Sequence, residues 1–264
     1  MTPQTKPFDL PSVPELGINL PHSALIAEAS TYAKTHCDTT TYNHTIRSAY
    51  WALLIAQKLP QFANVDQELV FVSCILHDMG WATTEGLISQ DKRFEVDGAN
   101  ITRDFLREQE KQSANKNGGG KAWDEYRIQR AWDAIALHTT PSIAMHAAPE
   151  VALTNLGVTA DFLGPNFALG PGSSLISKQE YQTVMKLFPR SGFTFEGLKN
   201  VMCSICRTKP ASTYDNFVGE FGVKYGTDGQ GAGKDDFAEA VEGSRFVNFV
   251  KQALDSLEAL DEEE

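Results

Sequence analysis

The chain has 264 residues, 42% of them hydrophobic, with a formal net charge of −11 and a pI near 5.0. That length and apolar content supply a core for one domain plus decoration and exclude bulk disorder. The acidic balance repels phosphate backbones, which argues against nucleic acid as a partner.

The opening MTPQTKPFDLPSVPELGINL lacks an apolar h-region, and no apolar run is long enough to span a bilayer. A soluble, cytoplasmic protein without a membrane partner is therefore expected. Five of the twelve prolines fall within residues 1–21, which predicts an extended N-terminal arm. His22–Thr35 is the first candidate helix. Over Tyr42–Leu59, Ile46, Ala49, Tyr50 and Leu53 recur at i, i+3, i+4 and i+7, the spacing of a second helix. Asp66 can cap the third, Glu68 suits its positive end and Gly80 can close it. Its body, LVFVSCILHD, is apolar nearly all round, so this helix belongs at the centre.

Asp91 can cap a helix running through RFEVDGANITRDFLREQ, and the stretch 113–121, SANKNGGGK, reads as a loop. Trp123–His138 carries Ile128, Ala131 and Ile135 on one stripe. Pro149 and Glu150 open another helix, which ends at Gly164. Later helices are predicted at 177–188, 195–206 and 236–259, with a Gly/Asp-rich loop at 225–236 and a frayed, solvated DEEE tail. Strand-like alternation is nearly absent, so the class is all-α, a compact helical bundle. The divisions are an arm at 1–21, a core at 22–225, and a linker with a C-terminal helical extension at 226–264.

Cys37 and Cys74 are isolated. Cys203 and Cys206 form a lone CxxC with no second pair to complete a zinc site. Leu198, Val201, Met202 and Ile205 surround them at helical spacing, so they read as small, half-buried helical residues.

Chemistry concentrates in a few positions. His44 lies near the start of the second helix, His77 and Asp78 end the central one, and His138 continues the Ile135 stripe. Adjacent helical residues point about 100° apart, so His77 and Asp78 converge on one ion only at a helix end. The apolar run delivers a carboxylate into the core, where an unpaired charge costs several kcal/mol and demands a cation or a tight partner. Asp161, in VTADFLG, poses the same problem, and Gly157 one turn earlier allows close helix approach. A buried His–Asp hydrogen bond would account for an isolated HD dipeptide without a metal. The combination is more specific than the dipeptide. Two imidazoles and two carboxylates suit zinc, manganese or iron.

Taken in order, NHTIRSAYWALLIA, LVFVSCILHDMG, KRFEVDGAN, ALHTT and GVTADFLG resemble the HD-domain superfamily, and in detail its fungal cyanamide hydratase group. The resemblance spans roughly residues 25–220, and ICRTKPAST is similar to that group's late Arg-Lys-Pro stretch. It implies an all-helical fold of the HD-domain type. It also implies one divalent ion, zinc foremost, held by His44, His77, Asp78 and Asp161. The GGGK insertion, the extension after about residue 225 and the sequence HDMGWATTEGL depart from the group's pattern.

The resemblance implies a metal-dependent hydratase, a lyase adding water to a small nitrile such as cyanamide to give urea. Asp78 or Glu95 would move the proton. His138 is either a substrate or ligand-supporting contact or a core histidine. Lys92, Arg93 and Glu95 are read as opening the KRFEVDGAN helix, where cations oppose the dipole, and Arg47 lies one turn beyond His44. The alternative is a phosphohydrolase acting on nucleotides or other phosphomonoesters, which needs such cations. Many superfamily members carry Lys shortly after HD, where this chain has Trp81. A diiron oxygenase would need more histidines than the stretch after Asp78 supplies, and a non-enzymatic protein would not need the ligand set. A small-molecule substrate is expected, and homo-oligomerisation stays open.

Overall fold

The computed structural model describes residues 10–114, 122–168 and 174–261, and these are helical with no named strand among them. The chain divides into two units. The first comprises Met1–Ser89 with Phe94–Phe193, and the second Gln90–Arg93 with Thr194–Glu264.

In the first unit, α1 (Ala24–His36), α2 (Thr39–Lys58) and α3 (Gln67–Leu76) each begin at a side-chain cap. Ser23, Asp38 and Asp66 accept from the backbone N–H groups of Ile26, Thr41 and Leu69. They are followed by α4 (Phe94–Ala114), α5 (Glu125–Ala136), the short α6 (Pro141–Ala144), α7 (Pro149–Leu163) and α8 (Lys178–Leu187). Every residue of α3 from Leu69 to Leu76 is buried, as the all-round apolar pattern requires. α2 packs along both α3 and α7. Gly157 makes the α2–α7 approach feasible, because a Cβ there would lie 2.6 Å from the Ser48 carbonyl oxygen and 2.8 Å from the Ala52 Cβ.

Two expectations change in this unit. The proline-rich segment packs from Leu10 onward: Leu10, Val13, Leu16, Ile18 and Leu20 are buried, and the Tyr50 hydroxyl donates to the Pro11 carbonyl at 2.6 Å. Prolines forbid a long helix there, yet the apolar side chains between them still reach the core. In addition, α4 opens at Phe94, so Lys92 and Arg93 precede the helix instead of opening it. The expected 113–121 loop falls mostly outside the described residues, with α4 running to Ala114.

The second unit holds α9 (Phe195–Thr208), α10 (Phe217–Tyr225), α11 (Lys234–Gly243) and α12 (Phe246–Asp261). The helix expected at 236–259 is thus two helices, interrupted after Gly243. Cys203 and Cys206 are buried free thiols on α9, and the Cys206 Sγ donates to the Val218 carbonyl at 3.3 Å. No helix among the described residues is long and apolar enough to cross a membrane.

Candidate metal centre

The α-helical conformation of α3 stops at Leu76, and His77–Trp81 continue as a 3-10 turn in which Asp78 adopts φ −96°, ψ 21°. This departure from helical geometry frees His77 and Asp78 from the 100° divergence of adjacent helix positions. α4 packs against the turn. Glycine is required on both sides, since a Cβ on Gly98 would meet the His77 carbonyl oxygen at 2.7 Å and one on Gly80 would collide with the Phe94 carbonyl.

The turn faces α2. The His77 Nε2 lies 3.2 Å from the His44 Nε2 and 3.2 Å from the Asp78 Oδ2, and the His44 Nε2 is 3.5 Å from the same oxygen. From the end of α5, the His138 Nε2 lies 3.7 Å from the Asp78 Oδ1. All four side chains are buried. Each imidazole has its Nδ1 against a group that can only accept. The His44 Nδ1 donates to the Asp161 Oδ2 at 2.8 Å, the His77 Nδ1 to the Cys74 carbonyl at 2.8 Å, and the His138 Nδ1 to the Ile135 carbonyl at 2.6 Å. The neutral rings therefore carry their proton on Nδ1 and turn three Nε2 lone pairs inward. Neither oxygen of Asp78 has a hydrogen-bond partner. Lone pairs converging on a buried carboxylate are unfavourable unless a proton or a cation is shared among them, and His44, His77 and Asp78 are spaced to hold a metal ion.

Asp161 sits behind His44, not beside Asp78. Its Oδ1 accepts from the Arg47 Nε at 2.8 Å and the Trp51 Nε1 at 2.9 Å, and its Oδ2 accepts from the Arg47 Nη2 at 2.7 Å as well as from His44. Both oxygens are thus committed. Asp161, expected among the ligands, lies against the Nδ1 of His44 and outside the group formed by His44, His77 and Asp78. His44, Arg47 and Trp51 stand at i, i+3 and i+7 on α2 and grip the carboxylate together. Burial alone would push the Asp161 carboxyl up, but the hydrogen bonds from His44 and Arg47 hold it well below the usual range. Burial also holds His138 down to about 4 and lowers His44. Burial likewise opposes charge on His77 and Asp78, yet each favours the charged form of the other enough to raise the imidazole and lower the carboxyl.

Residues 41–163 match the family model described as HD domain. The chain carries an HD domain. The matched span takes in His44, His77, Asp78, His138 and Asp161, and proteins built on HD domains are generally metal-dependent enzymes, mostly hydrolases. No curated protein is matched by the chain.

Within the HD domain, aromatic rings extend the cluster in both directions. Phe193 stacks on His44 at 4.4 Å, and Phe162 meets His44 edge-on at 5.3 Å. On the far side, His77 and His138 are 4.7 Å apart, and Phe94 and Trp81 continue the row. Phe162 is 42% exposed, so this wall reaches solvent on the His44 side. Glu95 is buried, accepts from the Thr139 hydroxyl at 2.6 Å, and lies close enough to His138 to favour its charged form. Lys92 lies in the second unit, where its Nζ pairs with Asp91 at 2.8 Å, and Arg93 pairs there with Asp215 at 3.9 Å. Trp51 was missed from the sequence. Its signal was the i+7 spacing from His44, hidden because nearly all of α2 is buried.

Proposed function

We propose that the HD domain binds one divalent ion, zinc by preference, and adds water to a small neutral substrate of the nitrile class, with cyanamide converted to urea as the simplest case. The ligands are the Nε2 atoms of His44, His77 and His138 and the carboxylate of Asp78, a nitrogen-rich set suited to zinc and compatible with iron or manganese. A divalent ion held there supplies Lewis-acid activation of water or of an electrophile.

The observation that carries a neutral substrate is the commitment of Arg47, the cation buried against the site. The Arg47 Nε and Nη2 are engaged by Asp161, and its Nη1 donates to the Phe188 and Pro189 carbonyls. The Arg190 Nη1 donates to the Asp161 carbonyl at 2.6 Å. A phosphate would need free donors of that kind, whereas a small uncharged molecule fits a wall of Phe162 and Phe193. Asp78, held ionised by His77, takes the proton that water loses as its oxygen bonds to the nitrile carbon and returns it to the nitrile nitrogen, and the hydroxyl proton of the isourea so formed then moves to nitrogen to give urea. The balance is one water added and nothing released.

The test is a direct comparison on metal-loaded protein. Urea formed from cyanamide, and lost in Asp78→Ala, supports the reading. Turnover of nucleoside monophosphates without nitrile hydration would replace it with phosphohydrolase chemistry.

A further inference from the structure

Between α1 and α4, beside Leu87, lies a cavity of about 570 Å³ that shares no residue with the metal centre. Its floor is aromatic and apolar. The Tyr32 ring lies 4.9 Å from Phe105 and 4.5 Å from His36, tilted to them by 40° and 56°. Rings set at such angles leave parts of their faces open instead of closing them in a stack. Ile101 and Phe105 are buried beneath them, and Leu87 is half-buried at the side.

The rim is acidic. Glu28 on α1 and Asp104 and Glu108 on α4 are exposed there, and no lysine or arginine lines the cavity. These carboxylates are not spent within the chain. Neither Glu28 nor Asp104 has a hydrogen-bond or ion-pair partner among the described residues. Glu108 accepts only from the Gln112 Nε2, at 3.1 Å. Arg107, one turn beyond Asp104, gives its Nε and Nη2 to Glu125 at 3.1 and 2.6 Å. Asp104 instead faces the aromatic floor, where burial first and its charge second push the Tyr32 hydroxyl above its ordinary value.

This combination selects among ligands. An anion is repelled. A metal ion or other compact cation would leave the aromatic and aliphatic floor in water, and a small monocation would balance one carboxylate of three. Ammonium groups separated by methylene segments match both parts, with the charges at the rim and the methylenes on the Tyr32 and Phe105 rings. The groove has the length for an extended chain, since Glu28 to His36 spans about 12 Å along α1. We infer that the cavity between α1 and α4 is a binding site for a linear aliphatic polyamine, held by Glu28, Asp104 and Glu108 over Tyr32 and Phe105.

The experiment is isothermal titration calorimetry of the full chain with spermidine, with far-UV circular dichroism as the folding control. Saturable binding of one spermidine per chain is expected. Glu28→Gln and Asp104→Asn, both at exposed positions, should each weaken it about tenfold, the loss of one charge-assisted contact. Tyr32→Leu should weaken it about fivefold by removing the ring, and Leu87→Ser serves as a second floor variant should Tyr32→Leu not fold. Asp235→Asn with Asp236→Asn, two acids on α11, should change nothing. No saturable binding overturns the inference. So does binding that the α11 variant weakens as much as Glu28→Gln and Asp104→Asn do, which would be attraction to the acidic surface as a whole. Binding that needs the carboxylates but not the floor, and that equimolar magnesium displaces, would make the cavity a site for simple cations and overturn the polyamine assignment.

Discussion

Replacing Arg47 with Met tests the support of the site most sharply. Arg47 is fully buried and gives Asp161 two charge-assisted hydrogen bonds, at 2.8 and 2.7 Å. Methionine fills much of the volume and removes the charge. Asp161 would remain buried with only His44 and Trp51 as donors. Breaking a buried ion pair from one side costs about 3–5 kcal/mol. For a chain of this length that lowers the melting temperature by roughly 10 °C. A second effect follows from charge. Without Arg47, the Asp161 carboxylate draws a proton onto His44, and a protonated His44 cannot ligate through Nε2. Metal affinity should therefore fall about 10–100-fold, the usual consequence of losing a group that orients a ligand. Thermal unfolding of the metal-free protein reads the first effect, and competition with a chromophoric chelator reads the second. Melting within about 1 °C of wild type together with unchanged affinity would refute the reasoning.

His138→Gln should also weaken metal binding by at least about tenfold, since it removes an inward Nε2. Unchanged affinity would remove His138 from the ligand set. The same variant isolates a pH effect in chelator-treated protein. Burial holds folded His138 down to about 4, against 6.5 for the unperturbed group, so between those values the unfolded chain binds more protons. Wild-type stability should therefore fall relative to His138→Gln as pH drops through that window, by about 3 kcal/mol in all, and parallel pH profiles in urea melts would contradict this. Gly157→Ala should cost about 1–3 kcal/mol, because its methyl group meets the Ser48 carbonyl and Ala52 across the α2–α7 contact. A melting curve identical to wild type would show that the two helices separate freely.

Much of this was legible in the residues. The apolar run LVFVSCIL announced a central helix that carries His77 and Asp78 into the core, and α3 does so. Asp161 was legible as a buried carboxylate in need of a partner, but not which partner. α2 is buried from His44 to Ala56 on every face, so periodicity could not show that Arg47 and Trp51 share a face with His44. The short helix α10 escaped notice because Gly219 and Gly222 depress its propensity. Those glycines are there for packing, since a side chain on the first would strike the Thr213 carbonyl and on the second the Phe237 ring. Gly243 was the overlooked sign that the last helical stretch breaks in two. In the N-terminal segment, proline content outweighed the apolar residues between the prolines, although burial follows the latter.

The imidazoles of His44 and His77 and the carboxylate of Asp78 are spaced to hold a single divalent ion. Elemental analysis of the purified chain beside its His77→Ala variant tests it most directly. One tightly bound ion per wild-type chain is expected, with its loss in the variant and a lower melting temperature as Asp78 is left buried without compensation. Two ions per chain, or full metal content and unchanged melting in His77→Ala, would contradict it.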